Sequence, residues 1–233
     1  MMPKKILLLL CLIWVTNANG NEIVACIDDH PPYQILADIP HGSHITALEK
    51  LAKVLEKQLK FIRSPNFARC VAMLSKGHVD VIAGLTPTEE RGEFAFFAPF
   101  KKADALRVIS KNGINIKNYS DFKGKIIGVA RGSTYFPRFD NDNNLDKISI
   151  QNIRIGITLM KKNRIDLIMV SPATLATFSK EIAEEKFIVS PMELEELRDK
   201  ETSFGFSKAH QLTMTNQEIK DKVYAAYQQG RFQ

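Results

Sequence analysis

Lys76-Gly77-His78-Val79-Asp80-Val81-Ile82 and Lys162-Asn163-Arg164-Ile165-Asp166-Leu167-Ile168 are local counterparts, and the reading of the fold turns on them. Each links a helical pattern to a short apolar run. Before the first, Phe67–Ser75 reads as a helix that Gly77 is placed to stop. Val79–Ala83 follows as a strand, leading into the loop Gly84-Leu85-Thr86-Pro87-Thr88. Around the second, Ile153–Lys162 reads as a helix, and Ile165–Val170 as a strand ending at Ser171-Pro172. Further out, Glu22–Ile27 and Lys60–Arg63 read as strands flanking a helix over Ile45–Leu59. That helix has Ile45, Leu48, Leu51, Ala52, Leu55 and Leu59 on one face. Ala103–Ser110 and Lys125–Ala130 read as strands of the second round, the latter feeding Arg131-Gly132-Ser133-Thr134 at an expected helix start. Strand–helix–strand alternation predicts parallel sheets covered by helices, an α/β architecture. Two rounds of one layout predict two similar lobes, since two copies cannot make a solenoid. An amphipathic helix, Asn216 to Gly230, closes the chain.

The 233 residues, 45% hydrophobic and 25% charged, can bury a core and are not those of a disordered chain. A basic start (Lys4, Lys5), an uncharged run from Ile6 to Val15 and small polar residues to Gly20 predict a secretory signal peptide over residues 1–20. Cleavage is expected after Ala18 or Gly20. The run is too short to span a bilayer as a helix, and Cys11 sits inside it without the small residues that precede a lipidated cysteine. Removing Lys4 and Lys5 from 32 basic residues leaves 30 against 26 acidic, a mild bias with no basic run, so no nucleic-acid partner is expected. Two cysteines remain, Cys26 in a strand-like run and Cys70 in a helix-like one. Being far apart in sequence, they are expected to be buried free thiols in preference to a bridge. The five histidines are scattered, and neither metal nor cofactor is expected.

Thr86-Pro87-Thr88-Glu89-Glu90-Arg91 followed by Phe94-Ala95-Phe96-Phe97-Ala98-Pro99-Phe100 resembles the T-x-T-x-x-R…FS-x-PY signature of bacterial extracellular solute-binding proteins, family 3. Four further stretches are similar to the family's in the same order: Asp28-Asp29-His30-Pro31-Pro32-Tyr33; Leu74 to Asp80; Phe122 to Val129 with Arg131-Gly132-Ser133-Thr134; and Asn163-Arg164-Ile165-Asp166. Together they cover nearly all of residues 22–230. The resemblance implies a two-lobed periplasmic binding protein fold of type II, each lobe a mostly parallel sheet flanked by helices, with two hinge strands between lobes. It implies a first lobe from 21–104 and 196–233, and a second from 105–195. It further implies a monomeric periplasmic receptor that closes on its solute and hands it to an ABC-type permease.

On that alignment Arg91 grips a ligand carboxylate, a task suited to a planar guanidinium that donates two parallel hydrogen bonds. Thr86 adds a hydroxyl, and Gly84 exposes backbone groups. Ser133 and Thr134 face the same carboxylate from the second lobe, where a helix start would favour an anion, with Arg131 beside them. An ordinary helix cap, or an Arg91 paired with Glu89, Glu90 or Glu93, is the plainer alternative. His30, Tyr33 and Phe67 fall where the family places rings, and Asp28 or Asp29 could accept from a ligand ammonium. One departure stands out. Family members that bind α-amino acids commonly carry an acid where this chain has Ser171, and the first helix has Thr46 where the family has its usual acid. Asp166 is expected to point away. Carboxylate recognition is therefore better supported than amino-acid recognition. The competing readings are an enzyme resembling cyclohexadienyl dehydratases on the same scaffold, and a sensor feeding a membrane signalling partner.

Overall fold

The computed structural model describes residues 21–192 and 200–232. The expected signal peptide and the expected lobe boundary at 195/196 lie outside the described residues.

The first part of the chain forms β1 (Glu22–Ile27), α1 (Ser43–Val54), β2 (Gln58–Arg63), α2 (Phe67–Ser75), β3 (Val81–Ala83), α3 (Glu89–Phe94) and β4 (Ala95–Lys102). The chain then builds β5 (Leu106–Ser110), a 3-10 turn at Tyr119–Phe122, β6 (Ile126–Ala130), α4 (Pro137–Asp140), β7 (Asp146–Ile150), α5 (Ile153–Lys161), β8 (Leu167–Val170), α6 (Pro172–Thr177), α7 (Ser179–Glu184) and β9 (Ile188–Met192). It ends with β10 (Glu201–Ser207) and α8 (Asn216–Gln228).

These strands form two five-stranded sheets, ordered β2-β1-β3-β10-β4 and β7-β6-β8-β5-β9. In each, three strands are parallel, as the alternation predicts. The other two pairings are antiparallel, because β10 inserts between β3 and β4, and β5 between β8 and β9. Both sheets are therefore mixed. The chain crosses between them twice, once at 103–105 and once between β9 and β10.

Each sheet buries both faces. Leu48, Leu51, Ile219 and Val223 cover one side of the first, packed on Ile23, Phe204 and Phe206. Leu74 covers the other, against Ile82 and Cys26. Phe122, Phe136 and Phe139 pack on one face of the second sheet, and Ile157, Phe178 and Ile182 on its other.

The counterpart stretches do the same work in both lobes. Asp80 Oδ2 accepts the Val24 N–H at 2.8 Å, and Asp166 Oδ2 accepts the Ile126 N–H at 2.8 Å. Each carboxylate ties its strand to the start of the neighbouring one. Gly77 (φ 69°) and Asn163 (φ 54°) make the left-handed turn that precedes them.

Two expectations are corrected here. The first helix does not run to Leu59. Leu55 caps it, Glu56 turns the chain at φ 56°, and Leu59 belongs to β2. Cys26 and Cys70 are not free thiols but a disulfide, with Cα atoms 5.5 Å apart. Distance in sequence misled because α2 folds back onto β1 and lays Cys70 over Cys26, both fully buried. Such a bond suits an oxidising compartment.

Candidate functional site

Thr88 caps α3, its Oγ1 accepting the Arg91 N–H at 3.2 Å. That cap sets the helix direction and aims Arg91 inward, where it is only 6% exposed. Its guanidinium spans the two sheets. Nη1 donates to the Thr86 carbonyl (2.8 Å) and to Thr134 Oγ1 (3.2 Å), and Nη2 donates to the Gly132 carbonyl (2.6 Å). Three of its five N–H donors are used, leaving the Nε–H and one Nη2–H. Among the described residues it forms no ion pair, so Glu89, Glu90 and Glu93 do not hold it at the surface. Burial lowers its pKa, while Glu90 and then Asp140 oppose that from a distance. A buried cation with no carboxylate beside it is costly, and its open donors suit an anion.

Gly132 explains how the halves come so close. It turns the chain at φ 83°, and a Cβ there would lie 2.6 Å from the Ala68 Cα on α2. Only glycine permits both the turn and the approach.

Between the halves lies a cleft of about 600 Å³, within the range of small-molecule sites. All nine residues expected at a site line it: His30, Tyr33, Phe67, Gly84, Thr86, Arg91, Ser133, Thr134 and Ser171. Their setting differs from expectation in two places. Ser133 and Thr134 do not start a helix. Residues 133–136 follow the turn without regular structure, Phe136 reaches the core, and the four-residue α4 begins only at Pro137. The Ser133 N–H is spent on the Ala130 carbonyl at 2.9 Å. Any anion preference here comes from Arg91 and the turn, with no helix dipole. The second difference is on α1. Thr46 is exposed, and the residue that α1 presents to the cleft is His44. The His44 ring lies 4.6 Å from the Tyr33 ring and leaves no room for a side chain at Gly84, whose Cβ would come within 2.6 Å of it.

Tyr33 is both core and cleft wall. It is 7% exposed, yet its hydroxyl lies 2.5 Å from Asp104 Oδ2 and 2.6 Å from Ser171 Oγ. Asp104 in turn pairs with Lys101 at 2.6 Å. Burial and the bond to Asp104 raise the Tyr33 pKa, so it stays a neutral hydroxyl. Ser171 caps α6, its Oγ accepting the Thr174 N–H at 3.1 Å. Asp166 is engaged at the far end of its strand with Lys111, at 2.6 Å, as expected of a residue turned from the cleft.

Sequence reasoning missed His44, Lys101, Asp104 and Tyr135, which also line the cleft. The FS-x-PY-like stretch ends just before Lys101, and the crossing that follows carries no periodic pattern to flag Asp104.

Asp28 and Asp29 stand apart in a recess of about 20 Å³ that opens beside His30 and Phe67 and also touches Arg131, Gln151 and Arg154. Burial, and then Asp29, push the Asp28 pKa up to about 7, and among the described residues its Oδ1 has no hydrogen-bond partner. Burial lowers the pKa of His30 and drives that of His44 well below the usual range, leaving both imidazoles neutral. Among the described residues no His/Cys/Asp/Glu group is placed to hold a metal ion, and no helix is long and apolar enough to cross a membrane.

Comparison with known proteins gives a consistent picture. The arginine-binding extracellular protein ArtP of Bacillus subtilis is 28% identical over 149 residues, covering 56% of this chain and 57% of that one. The probable histidine-binding protein of Campylobacter jejuni is 27% identical over 151 residues, covering 64% and 57%. The chain thus spans a little over half the length of the curated relatives it matches. Among solved structures, an ancestral arginine-binding protein bound to arginine superposes with a TM-score of 0.73 at 23% identity, over 91% of this chain and 95% of that one. Holo ArgBP from T. maritima gives 0.71 at 21% identity, over 90% of each. These share the two-lobed fold. The pattern of the bacterial extracellular solute-binding proteins, family 3, matches residues 23–230, nearly the whole folded chain, and the protein belongs to that family.

Proposed function

We propose that the protein is an exported solute-binding receptor. It captures a small carboxylate-bearing solute, an amino acid or a related compound, between its lobes and delivers it to an ABC-type permease in the membrane. The observation that carries this reading is Arg91: a buried guanidinium, free of any ion pair among the described residues, bonded to backbone of both lobes and facing a cleft. A solute carboxylate would take the Nε–H and the remaining Nη2–H. Thr86, Thr134 and Ser133 would supply hydroxyls around it, with Gly84 giving backbone access. His30, Phe67 and Tyr33 would form the wall against the rest of the solute.

The moving units of this reading are 21–104 with 196–233, and 105–195, hinged at the crossings. Release of the solute would part the Arg91–Gly132 and Tyr33–Ser171 contacts, so opening and closing follow occupancy. The receptor acts as a monomer, without a cofactor and without catalysis; the named relatives are binding proteins.

A thermal-shift screen of the exported chain against amino acids, dicarboxylates and other small carboxylates tests the proposal. A true solute at 100 times its Kd stabilises the fold by about 2.7 kcal/mol. No stabilisation by any carboxylate, or turnover of prephenate or arogenate by the protein, would reject it.

A further inference from the structure

Strands β6 and β8 pair in parallel, with Gly128 opposite Ile168. Their carboxyl ends, Ala130 and Val170, therefore lie side by side, about 5 Å apart. The turn that meets Arg91 leaves the first end, and Ser171 leaves the second. If a carboxylate sits on Arg91 and the 132–134 turn, a substituent on its neighbouring carbon falls beside Ser171.

That corner is a chain of hydroxyls. Tyr33 Oη donates to Asp104 Oδ2, and the Ser171 hydroxyl, 2.6 Å from Tyr33 Oη and 3.1 Å from Thr174 Oγ1, donates within the same chain. Asp104 is the acid that this chain of hydrogen bonds reaches. Its charge is already met by Lys101 on the oxygen that takes the Tyr33 bond. The Lys101 ammonium also lies 5.1 Å from the centre of the Tyr33 ring. An ammonium placed here would share the cleft with two cations, Arg91 and Lys101, and meet in Asp104 a carboxylate that is already paired, the cleft's other acid, Glu201, standing at the start of β10. Burying it there is unfavourable. A neutral oxygen has no such difficulty, since each hydroxyl of the chain can donate to it or accept from it.

We infer that the solute is a carboxylate whose neighbouring carbon bears a hydroxyl or oxo oxygen in place of an ammonium. This rests on the carboxylate-receptor reading above, and names the class of compound that site takes. Ser171 is then a specificity-determining residue, selecting by the absence of charge.

Calorimetric titration of the exported chain with matched sets tests it: L-phenylalanine against 3-phenyllactate and phenylpyruvate, L-leucine against 2-hydroxyisocaproate, and L-glutamate against 2-hydroxyglutarate and 2-oxoglutarate. The oxygen-bearing member of the best-bound set is expected to bind about tenfold or more tightly than its amino partner. Ser171→Asp, which keeps an N-cap residue on α6, is expected to melt like the wild type and to reverse the preference. Tighter binding of the amino member by the wild type overturns the inference. So does an amino member whose affinity falls selectively in Asp104→Asn, which would assign the ammonium to Asp104. In both cases, if binding still requires Arg91, the receptor reading survives. Should no member of any set bind, this inference falls, and the carboxylate reading falls with it only if no carboxylate of the thermal-shift screen stabilises the fold.

Discussion

Replacing Arg91 with lysine keeps the charge and removes the shape. The guanidinium has five N–H donors, and three are committed to Thr86, Thr134 and Gly132. Two remain for a carboxylate. A lysine ammonium has three donors in all, so holding the protein contacts leaves none, and each bond given to the solute is taken from the lobe contacts. The loss is at least one charge-assisted hydrogen bond, about 1.5–3 kcal/mol, which weakens binding by about 10- to 150-fold. The overall attraction for an anion persists because the charge persists, so affinity falls without vanishing. Isothermal calorimetry with the best carboxylate from the thermal screen measures the loss. Circular dichroism melting of the unliganded variant should stay within a few degrees of wild type. A dissociation constant within about threefold of wild type, with the fold intact, would refute the role given to the guanidinium.

Other outcomes follow from the same geometry. Gly132→Ala places a methyl group against the backbone of α2 at a left-handed turn. It should weaken solute binding about tenfold or more and enlarge the radius of gyration of the liganded protein in small-angle scattering; unchanged affinity would show that the lobes need not approach there. Changing Cys26 and Cys70 together to alanine should cost about 2–4 kcal/mol in urea unfolding, since the bond closes a loop with a sequence separation of 44; an unchanged midpoint would contradict the pairing. Asp28 carries a pH signature. Its pKa is about 7 in the fold against 3.8 as the reference value. Between those values the folded form holds a proton that the unfolded chain has lost, so stability falls as pH rises from about 4 to 7, by at most about 4 kcal/mol. Asp28→Asn should therefore gain on wild type at pH 8 and match it at pH 4. His44 acts in the opposite sense: held neutral in the fold, it contributes stability above its usual pKa that is lost as pH falls. The difference between wild type and variant isolates Asp28, and a difference independent of pH would refute its assignment.

Much of this was legible in the residues, and the failures have physical causes. Glu22–Ile27 and Phe67–Ser75 were read to the residue because each is a bounded apolar pattern with its own stop signal. The end of α1 was not, because its apolar spacing continues through Leu55 and Leu59 while the chain turns at Glu56, a residue type that gives no warning of a positive φ. All nine expected residues line one cleft because motif order fixes which loops leave the same sheet edge. What motif order could not show was local conformation. Gly132 makes a turn, not a helix start, and the register of α1 faces His44 inward instead of Thr46. The disulfide depends on how α2 lies across β1, and Asp104 on where the chain crosses between lobes, both of which are tertiary facts.

The central claim is tested most directly by a crystal structure of the exported chain with its tightest-binding carboxylate. The account predicts the carboxylate bidentate on Arg91, within about 2.7–2.9 Å, and within hydrogen-bond reach of the Ser133–Thr134 turn, with both lobes closed on it. A carboxylate seated elsewhere, with the Arg91 guanidinium untouched by it, would contradict the account.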